Sequence, residues 1–154
     1  MRVHPDYKGF VASLNAHKVK YLIVGAHALG FHGIPRYTKD IDIWIESSEG
    51  NVNRFLKALR NFFDTDFGLS KDDFKGETIL QFGIAPVRID VLVSLPGLTF
   101  KRAWRNSIRS QYGSEPASYL SLNDLIKAKR AAGRKQDLLD VKKLLQVQKR
   151  RKRK

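Results

Sequence analysis

The chain has 154 residues, which suits a single domain, and its 42% hydrophobic and 29% charged residues are typical of a globular protein. It contains no cysteine, which excludes disulfides, thiolate zinc sites, iron–sulfur clusters and cysteine nucleophiles. The formal net charge of +14 favours a polyanionic partner, a nucleic acid or a nucleotide, over an anionic membrane.

Apolar periodicity and turn residues predict the elements in chain order. The first half is predicted to contain a helix over residues 6–17, a strand over 20–24, a helix over 26–32, a strand over 40–46 and a helix that begins at Asn51 or Asn53. The second half is predicted to contain a mobile surface segment over 64–77, strands over 78–84 and 87–93, and helices over 100–106, from Ser121 to Gly133 and from Lys135 onward.

The end of the chain is strongly basic. Residues 149–154 carry six positive charges and no acidic residue, which leaves +8 for the rest of the chain. We expect residues 148–154 to be a disordered tail, which either contacts a nucleic acid or only aids solubility. No apolar run reaches the ~20 residues of a membrane span, and the N-terminus lacks a signal peptide, so we expect a cytoplasmic protein.

Three acidic residues occupy predicted strands. Asp40 and Asp42 leave the same strand face, about 7 Å apart at Cα, and carboxylates this close repel unless a cation lies between them. Asp90 lies on a second strand, and if the two strands are neighbours the three carboxylates converge. Such an oxygen cage suits Mg²⁺ or Mn²⁺ and supports phosphoryl or nucleotidyl transfer. The alternative is that all three are solvated residues on an outer face of the sheet.

A predicted strand runs directly into a helix at Gly25, 15 residues before Asp40. A helix N-terminus offers unpaired amides to a phosphate, and glycine permits the backbone to approach a ligand closely. Many strand–glycine–helix joints are only structural, but the position ahead of the acidic pair favours a phosphate-binding role.

Five segments together resemble the nucleotidyltransferase superfamily of DNA polymerase β, and are most similar to small bacterial and archaeal members near the AbiEii-type abortive-infection toxins. These segments are VGAHAL (24–29), FHG (31–33), PRYTKDID (35–42), RIDVL (88–92) and the C-terminal motif over 124–140. The resemblance covers residues 18–145. Ala26 departs from it, because the superfamily has a second glycine or a serine there.

The resemblance implies an α/β nucleotidyltransferase fold, with a short mixed β-sheet flanked by helices and followed by a C-terminal helical pair. We expect a core over 1–115, C-terminal helices over 116–147 packed on it, and the basic tail over 148–154. Asp40, Asp42 and Asp90 are implied as catalytic metal ligands for Mg²⁺ or Mn²⁺. The implied nucleotide-binding residues are Gly25, Ala26, His27, Arg36, Thr38, Lys129 and Arg134.

The residues alone leave some of these roles open. Arg36 can contact a phosphate or form an ion pair within the protein, and Lys129 and Arg134 are equally consistent with a solvated basic face. Asp137 and Asp140 are predicted to pair with nearby basic residues rather than to bind metal.

Two functions are consistent with the sequence. The first is a metal-dependent enzyme that moves NMP from an NTP to a hydroxyl or phosphate acceptor. The charge favours RNA such as tRNA as the acceptor, in a toxin–antitoxin or phage-defence setting with a cognate antitoxin or toxin protein. The second is a non-catalytic antitoxin-like or nucleic-acid-binding module that keeps the fold. The retained carboxylates count against the second.

Overall fold

The computed structural model describes residues 3–84 and 87–153. These residues form six strands, six α-helices and one short 3₁₀ turn. In chain order they are α1 (Pro5–Ala16), β1 (Tyr21–Val24), α2 (Gly25–Phe31), β2 (Asp40–Ile45), α3 (Glu49–Phe63), the 3₁₀ turn (Lys71–Asp73), β3 (Ile79–Ile84), β4 (Val87–Leu92), α4 (Phe100–Asn106), β5 (Ile108–Tyr112), β6 (Glu115–Tyr119), α5 (Leu122–Ala132) and α6 (Lys135–Lys152).

The strands form one mixed sheet in the order β3-β4-β2-β1-β6-β5. Strand β2 runs parallel to β4 and antiparallel to β1, and β1 runs parallel to β6. This arrangement confirms the α/β fold expected from the sequence, a mixed sheet with flanking helices and a C-terminal helical pair. The parallel pairing of β2 with β4 is what brings the acidic strand positions side by side.

Each face of the sheet is covered by its own hydrophobic core. On one face, α1 and α3 pack on the alternate isoleucines of β2, with Phe10 and Phe55 fully buried. On the other face, α2, α4, α5 and α6 pack around Leu22 and Trp44. Trp44 is buried edge-on against Phe100, with ring centroids 5.1 Å apart, so it covers the sheet rather than facing a ligand.

Helix α3 begins earlier than the sequence predicted. Ser48 is its N-cap, and its hydroxyl accepts a hydrogen bond from the Asn51 amide. Asn51 lies inside the helix and is fully buried. Its side-chain amide donates to the carbonyls of Lys20 and Glu46, which ties the helix to the ends of β1 and β2.

Two regions of the chain differ from the prediction. The segment over 64–77 contains the 3₁₀ turn, and Phe74 is buried against Phe55 at a centroid distance of 5.6 Å. The β5–β6 hairpin was not predicted at all. Strand β5 lies at the sheet edge with four of its five residues exposed, so it lacks the apolar alternation that marks a strand.

The expectation of a disordered tail is wrong for residues 148–152, because α6 continues to Lys152. Two contacts hold its end. Gln148 donates to the Asn123 side chain at 2.6 Å, and the Arg151 guanidinium donates to His32 Nδ1 at 3.2 Å. The basic last turn also complements the helix dipole. Lys154 lies outside the described residues.

The predicted division at 115/116 falls within β6, whose residues pair with both β1 and β5. Among the helices of the described residues, none is long and apolar enough to cross a membrane.

Candidate metal and nucleotide site

Three carboxylates meet on adjacent strands. In the β2–β4 register, Asp42 lies opposite Asp90, and Asp40 lies opposite Arg88. One carboxylate oxygen from each of Asp40, Asp42 and Asp90 lies within 4.8 Å of the other two. Hard oxygen donors at this spacing fit a divalent cation such as Mg²⁺, so the three residues together could hold a metal ion. We call them the acidic triad.

Gly25 lies directly against the acidic triad. Val24 pairs with Asp42, so the chain leaves β1 beside that carboxylate. A Cβ at position 25 would lie only 2.1 Å from Asp42 Oδ2, and φ at Gly25 is +64°, in the left-handed region that favours glycine. Both the close contact and the backbone conformation therefore require glycine here. Ala26 follows in the first turn of α2.

The triad resists full ionisation without a cation. Burial, followed by the charges of Asp40 and Asp90, raises the pKa of Asp42 to about 7. The pKa of Asp90 is also raised, first by burial and then by Asp40. Because like charges are crowded in a poorly solvated place, a bound divalent cation would relieve an existing electrostatic cost. The raised pKa values of these carboxylates thus agree with their oxygen donors in favouring a bound divalent cation.

Arg88 is a member of this site that the sequence analysis did not assign. Its Nη2 lies 2.7 Å from Asp40 Oδ2, and its Nε lies 3.3 Å from Asp90 Oδ1. The guanidinium therefore offsets part of the triad's negative charge. The alternation of β4 already puts Arg88 on the same face as Asp90, and that signal was sufficient to find it.

Thr38 and Asp40 are joined by local hydrogen bonds. The Thr38 hydroxyl lies 3.1 Å from Asp40 Oδ1 and accepts from the Asp40 amide at 3.2 Å. Thr38 is therefore placed to orient a triad carboxylate.

A cavity of about 710 Å³ opens beside this end of β2. Its volume is within the range of small-molecule sites. Its wall combines aromatic rings, imidazoles and a guanidinium, and is lined by Val3, His4, Pro5, Tyr7, His27, Pro35, Arg36, Tyr37, Thr38 and Lys39.

His27 forms part of the cavity wall and lies between two tyrosine rings. Its centroid is 5.7 Å from Tyr7 and 5.6 Å from Tyr112. Burial lowers the pKa of His27 to about 4, so the imidazole is neutral at pH 7. A neutral, aromatic-flanked ring suits the wall of a pocket for a planar ligand.

The three predicted basic phosphate ligands belong to one ion-pair network with two aspartates of α6. Arg36 makes a bidentate pair with Asp140, and Lys129 Nζ lies 3.0 Å from Asp140 Oδ2 and 3.3 Å from Asp137 Oδ1. Arg134 donates to Asp137 at 2.7 Å. The prediction that Asp137 and Asp140 pair with basic residues is confirmed. We call these five residues the Asp140 network.

Asp140 is the buried centre of this network, with no exposed surface. Burial alone would raise its pKa, but hydrogen bonds from Arg36, Lys129 and Gln136 hold the pKa well below its usual value. The positive charge of Lys129 also acts on Asp42, where it slightly opposes the rise of the pKa. Arg134 is different, since its side chain is 79% exposed and it contacts only Asp137 among the charged residues described.

The structure thus brings together most of the predicted site. Gly25, Asp40, Asp42 and Asp90 meet at one point, and His27, Arg36 and Thr38 line the adjacent cavity. The sheet order and the two facing carboxylate strands complete the mixed α/β fold described above.

Comparison with known proteins gives the same fold. The chain is similar to a crystal structure of a "putative nucleotidyltransferase" from Thermotoga maritima, with a TM-score of 0.55 over 99% of this chain and 97% of that one. The two are 14% identical, so the likeness concerns the fold. No protein-family model matches the chain, and no curated protein matches it.

Proposed function

We propose that this protein is a metal-dependent nucleotidyltransferase that moves NMP from an NTP to a hydroxyl or phosphate acceptor. The observation that carries the proposal is the convergence of Asp40, Asp42 and Asp90 within 4.8 Å, with Gly25 packed against Asp42, in a nucleotidyltransferase-like fold. A solvated outer face would not bury a carboxylate or require a glycine beside it.

Asp40 and Asp42 are proposed to hold the Mg²⁺ or Mn²⁺ that accompanies the NTP, and Asp90 to complete the site. When bound, the ion would neutralise charge on the triphosphate. With a hydroxyl acceptor, its oxygen attacks the α-phosphorus, the bond to the bridging oxygen of the β-phosphate breaks, and pyrophosphate leaves. Asp90, as the third carboxylate of the triad, is proposed to act as the general base for the hydroxyl proton or beside it.

The NTP is proposed to bind between the acidic triad and the cavity. The backbone of Gly25 and Ala26 would approach the triphosphate, while the cavity with His27 and Thr38 would accept the nucleoside. Arg36 lines the cavity and Lys129 lies near Asp42, so both add positive charge even though Asp140 holds them. Arg134 is proposed to act more remotely, through Asp137.

RNA such as tRNA is the acceptor that the charge favours, because each neutralised phosphate releases counterions and strengthens binding. The resemblance to AbiEii-type proteins extends the proposal to a toxin–antitoxin or phage-defence setting, with a cognate antitoxin or toxin protein as a further partner.

One observation favours a second candidate, a non-catalytic nucleic-acid-binding module. Arg88 contacts both Asp40 and Asp90, so the triad is partly neutralised by the protein itself. The two candidates differ in a thermal-shift measurement. The enzyme should be stabilised by NTP only when Mg²⁺ is present, whereas the module should show no such dependence.

The direct test incubates the protein with α-labelled NTPs, Mg²⁺ and total cell RNA. Label should appear on RNA with wild type and vanish with Asp42→Asn. Asp72→Asn is the matched control, since it removes a carboxylate that is 71% exposed and outside the site. A reaction without RNA reveals self-modification. Equal transfer by Asp42→Asn and wild type would refute the metal-site assignment.

A further inference from the structure

Nine basic residues are exposed on α4, on β5, and on the last turns and C-cap of α6. We call this surface the basic end. Its members are Lys101, Arg102, Arg105, Arg109, Lys149, Arg150, Arg151, Lys152 and Arg153. The members on α4 and β5 are separated from those on α6 by about 40 residues of sequence. They form one surface only if the fold brings these segments together.

Two side-chain contacts bring these segments to one place. At the end of α4, Asn106 donates to the Asp124 carboxylate at 3.4 Å. Near the end of α6, Gln148 donates to the Asn123 side chain at 2.6 Å. Asn123 and Asp124 are adjacent residues in the first turn of α5. The C-terminal ends of α4 and α6 therefore both contact the start of α5, and their basic residues share one end of the molecule.

The charge of the basic end is not balanced by the protein. Among the described residues, none of its nine members forms an ion pair with a carboxylate. The nearby Asp124 is buried, and its carboxylate accepts a hydrogen bond from Asn106, while its backbone amide donates to the Ser121 hydroxyl. By contrast, Arg36, Arg88 and Lys129 are all paired with aspartates. The cations of the basic end therefore have no carboxylate partner among the described residues that would compete with a phosphate.

Local packing also argues against a membrane as the partner. Helix α4 turns Phe100, Ala103 and Trp104 toward the core, so it presents cations without the apolar face that interfacial helices insert. The Arg109 guanidinium lies 5.0 Å from the Trp104 ring centroid, which restricts its orientation. Six of the nine residues are arginines, whose planar fork matches the oxygens of a phosphate.

We propose that the basic end binds the phosphodiester backbone of a nucleic acid. That this nucleic acid is the acceptor rests on the function proposed above, whereas the binding itself does not. Arg151 contacts His32, which lies seven residues and about 10 Å along α2 from Gly25. The basic end and the acidic triad therefore contact opposite ends of one short helix.

The test measures binding of a fluorescent RNA hairpin, and of a DNA hairpin of the same sequence, by anisotropy between 50 and 200 mM salt. One variant carries Arg102→Gln and Arg105→Gln on α4, and a second carries Lys149→Gln and Arg150→Gln on α6. The control carries Lys18→Gln and Lys57→Gln, two exposed lysines on the α1–α3 side of the sheet. All six substitutions are at exposed positions, and circular dichroism checks the folding.

Each basic-end pair should weaken binding on the order of tenfold and lower the slope of log K against log salt by up to about two. The control should match wild type. Preference for RNA or DNA identifies the nucleic acid. Unchanged affinity in either basic-end variant, an equal loss in the control, or tighter binding to vesicles containing phosphatidylserine than to either hairpin would overturn the proposal.

The two proposals fail separately. If wild type binds the hairpin through the basic end but never transfers NMP, the enzyme assignment fails and the surface stands. If label reaches RNA while the basic-end variants bind as wild type does, the surface assignment fails and the enzyme stands.

Discussion

Replacement of Asp42 by asparagine should change how the stability of the protein depends on pH. The folded-state pKa of Asp42 is about 7, while an unfolded aspartate titrates near 3.9. Between these values the folded chain binds more protons than the unfolded chain, so the free energy of unfolding falls as pH rises and levels off above pH 7. A difference of about three pKa units at ~1.4 kcal/mol each gives an upper value of ~4 kcal/mol.

Asparagine does not titrate, so Asp42→Asn should lack this decline. The two proteins should have similar Tm at pH 4.5, and by pH 8 the variant should be more stable by up to ~4 kcal/mol, or roughly 8 to 16 °C for a chain of this size. Scanning calorimetry in EDTA from pH 4.5 to 8.5 measures both curves. Other titrating groups, including His27, are present in both proteins and largely cancel in the difference.

Mg²⁺ provides the second half of this experiment. Above pH 7 the added ion should raise the Tm of wild type, because it offsets the repulsion within the triad, and should have a much smaller effect on Asp42→Asn. Parallel curves for the two proteins across the pH range in EDTA would show that Asp42 is not a crowded, buried carboxyl, and would refute the electrostatic reasoning.

Three further perturbations test other parts of the structure. Gly25→Ala places a Cβ 2.1 Å from Asp42 Oδ2 at a φ of +64°, so it should abolish the Mg²⁺-dependent NTP thermal shift and lower the free energy of unfolding in urea by at least ~1–2 kcal/mol. Wild-type behaviour would contradict the close packing. Asp140→Asn leaves Arg36 and Lys129 without their buried partner and should cost about 3–5 kcal/mol in urea at pH 7. Because the pKa of Asp140 is lowered by folding, its contribution is present above pH 4 and is lost as pH falls, so the deficit should shrink in acid. Deletion of residues 149–154 removes the Arg151–His32 hydrogen bond and should lower the Tm by about 2–4 °C. The same deletion should make the salt slope for RNA shallower by up to about five, and an unchanged slope would exclude the end of α6 from the interface.

The sequence predicted the parts of the fold where local pattern and tertiary environment agree. Strands β2 and β4 alternate because one face of each lies on the α1–α3 core, and helix α4 has the predicted bounds. The alternation of apolar and polar residues also predicted that the three carboxylates lie on the strand faces opposite the aliphatic side chains. It did not establish that β2 and β4 are neighbours, because pairing partners are not encoded in the period of a strand.

The missed features depend on contacts that are distant in sequence. Arg36 and Asp140 are 104 residues apart along the chain. No local sequence rule shows that Arg36 pairs with an aspartate instead of binding a phosphate, or that Asp140 is buried instead of lying on the surface. Strand β5 is held at the sheet edge by its pairing with β6 and carries mostly polar side chains. The helical end of α6 likewise depends on Asn123 and His32, which charge composition cannot reveal.

The position of the Asp140 network in the chain has a consequence for synthesis on the ribosome. All three carboxylates have been translated by residue 90, but Asp140 follows 50 residues later. At about 5–20 residues per second, this delay is on the order of 2.5 to 10 s. During that time Arg36 lacks its partner, and for the first part of it β1 also lacks β6, its neighbour on one side. A nascent chain therefore cannot assemble the complete site until residue 140 has been translated.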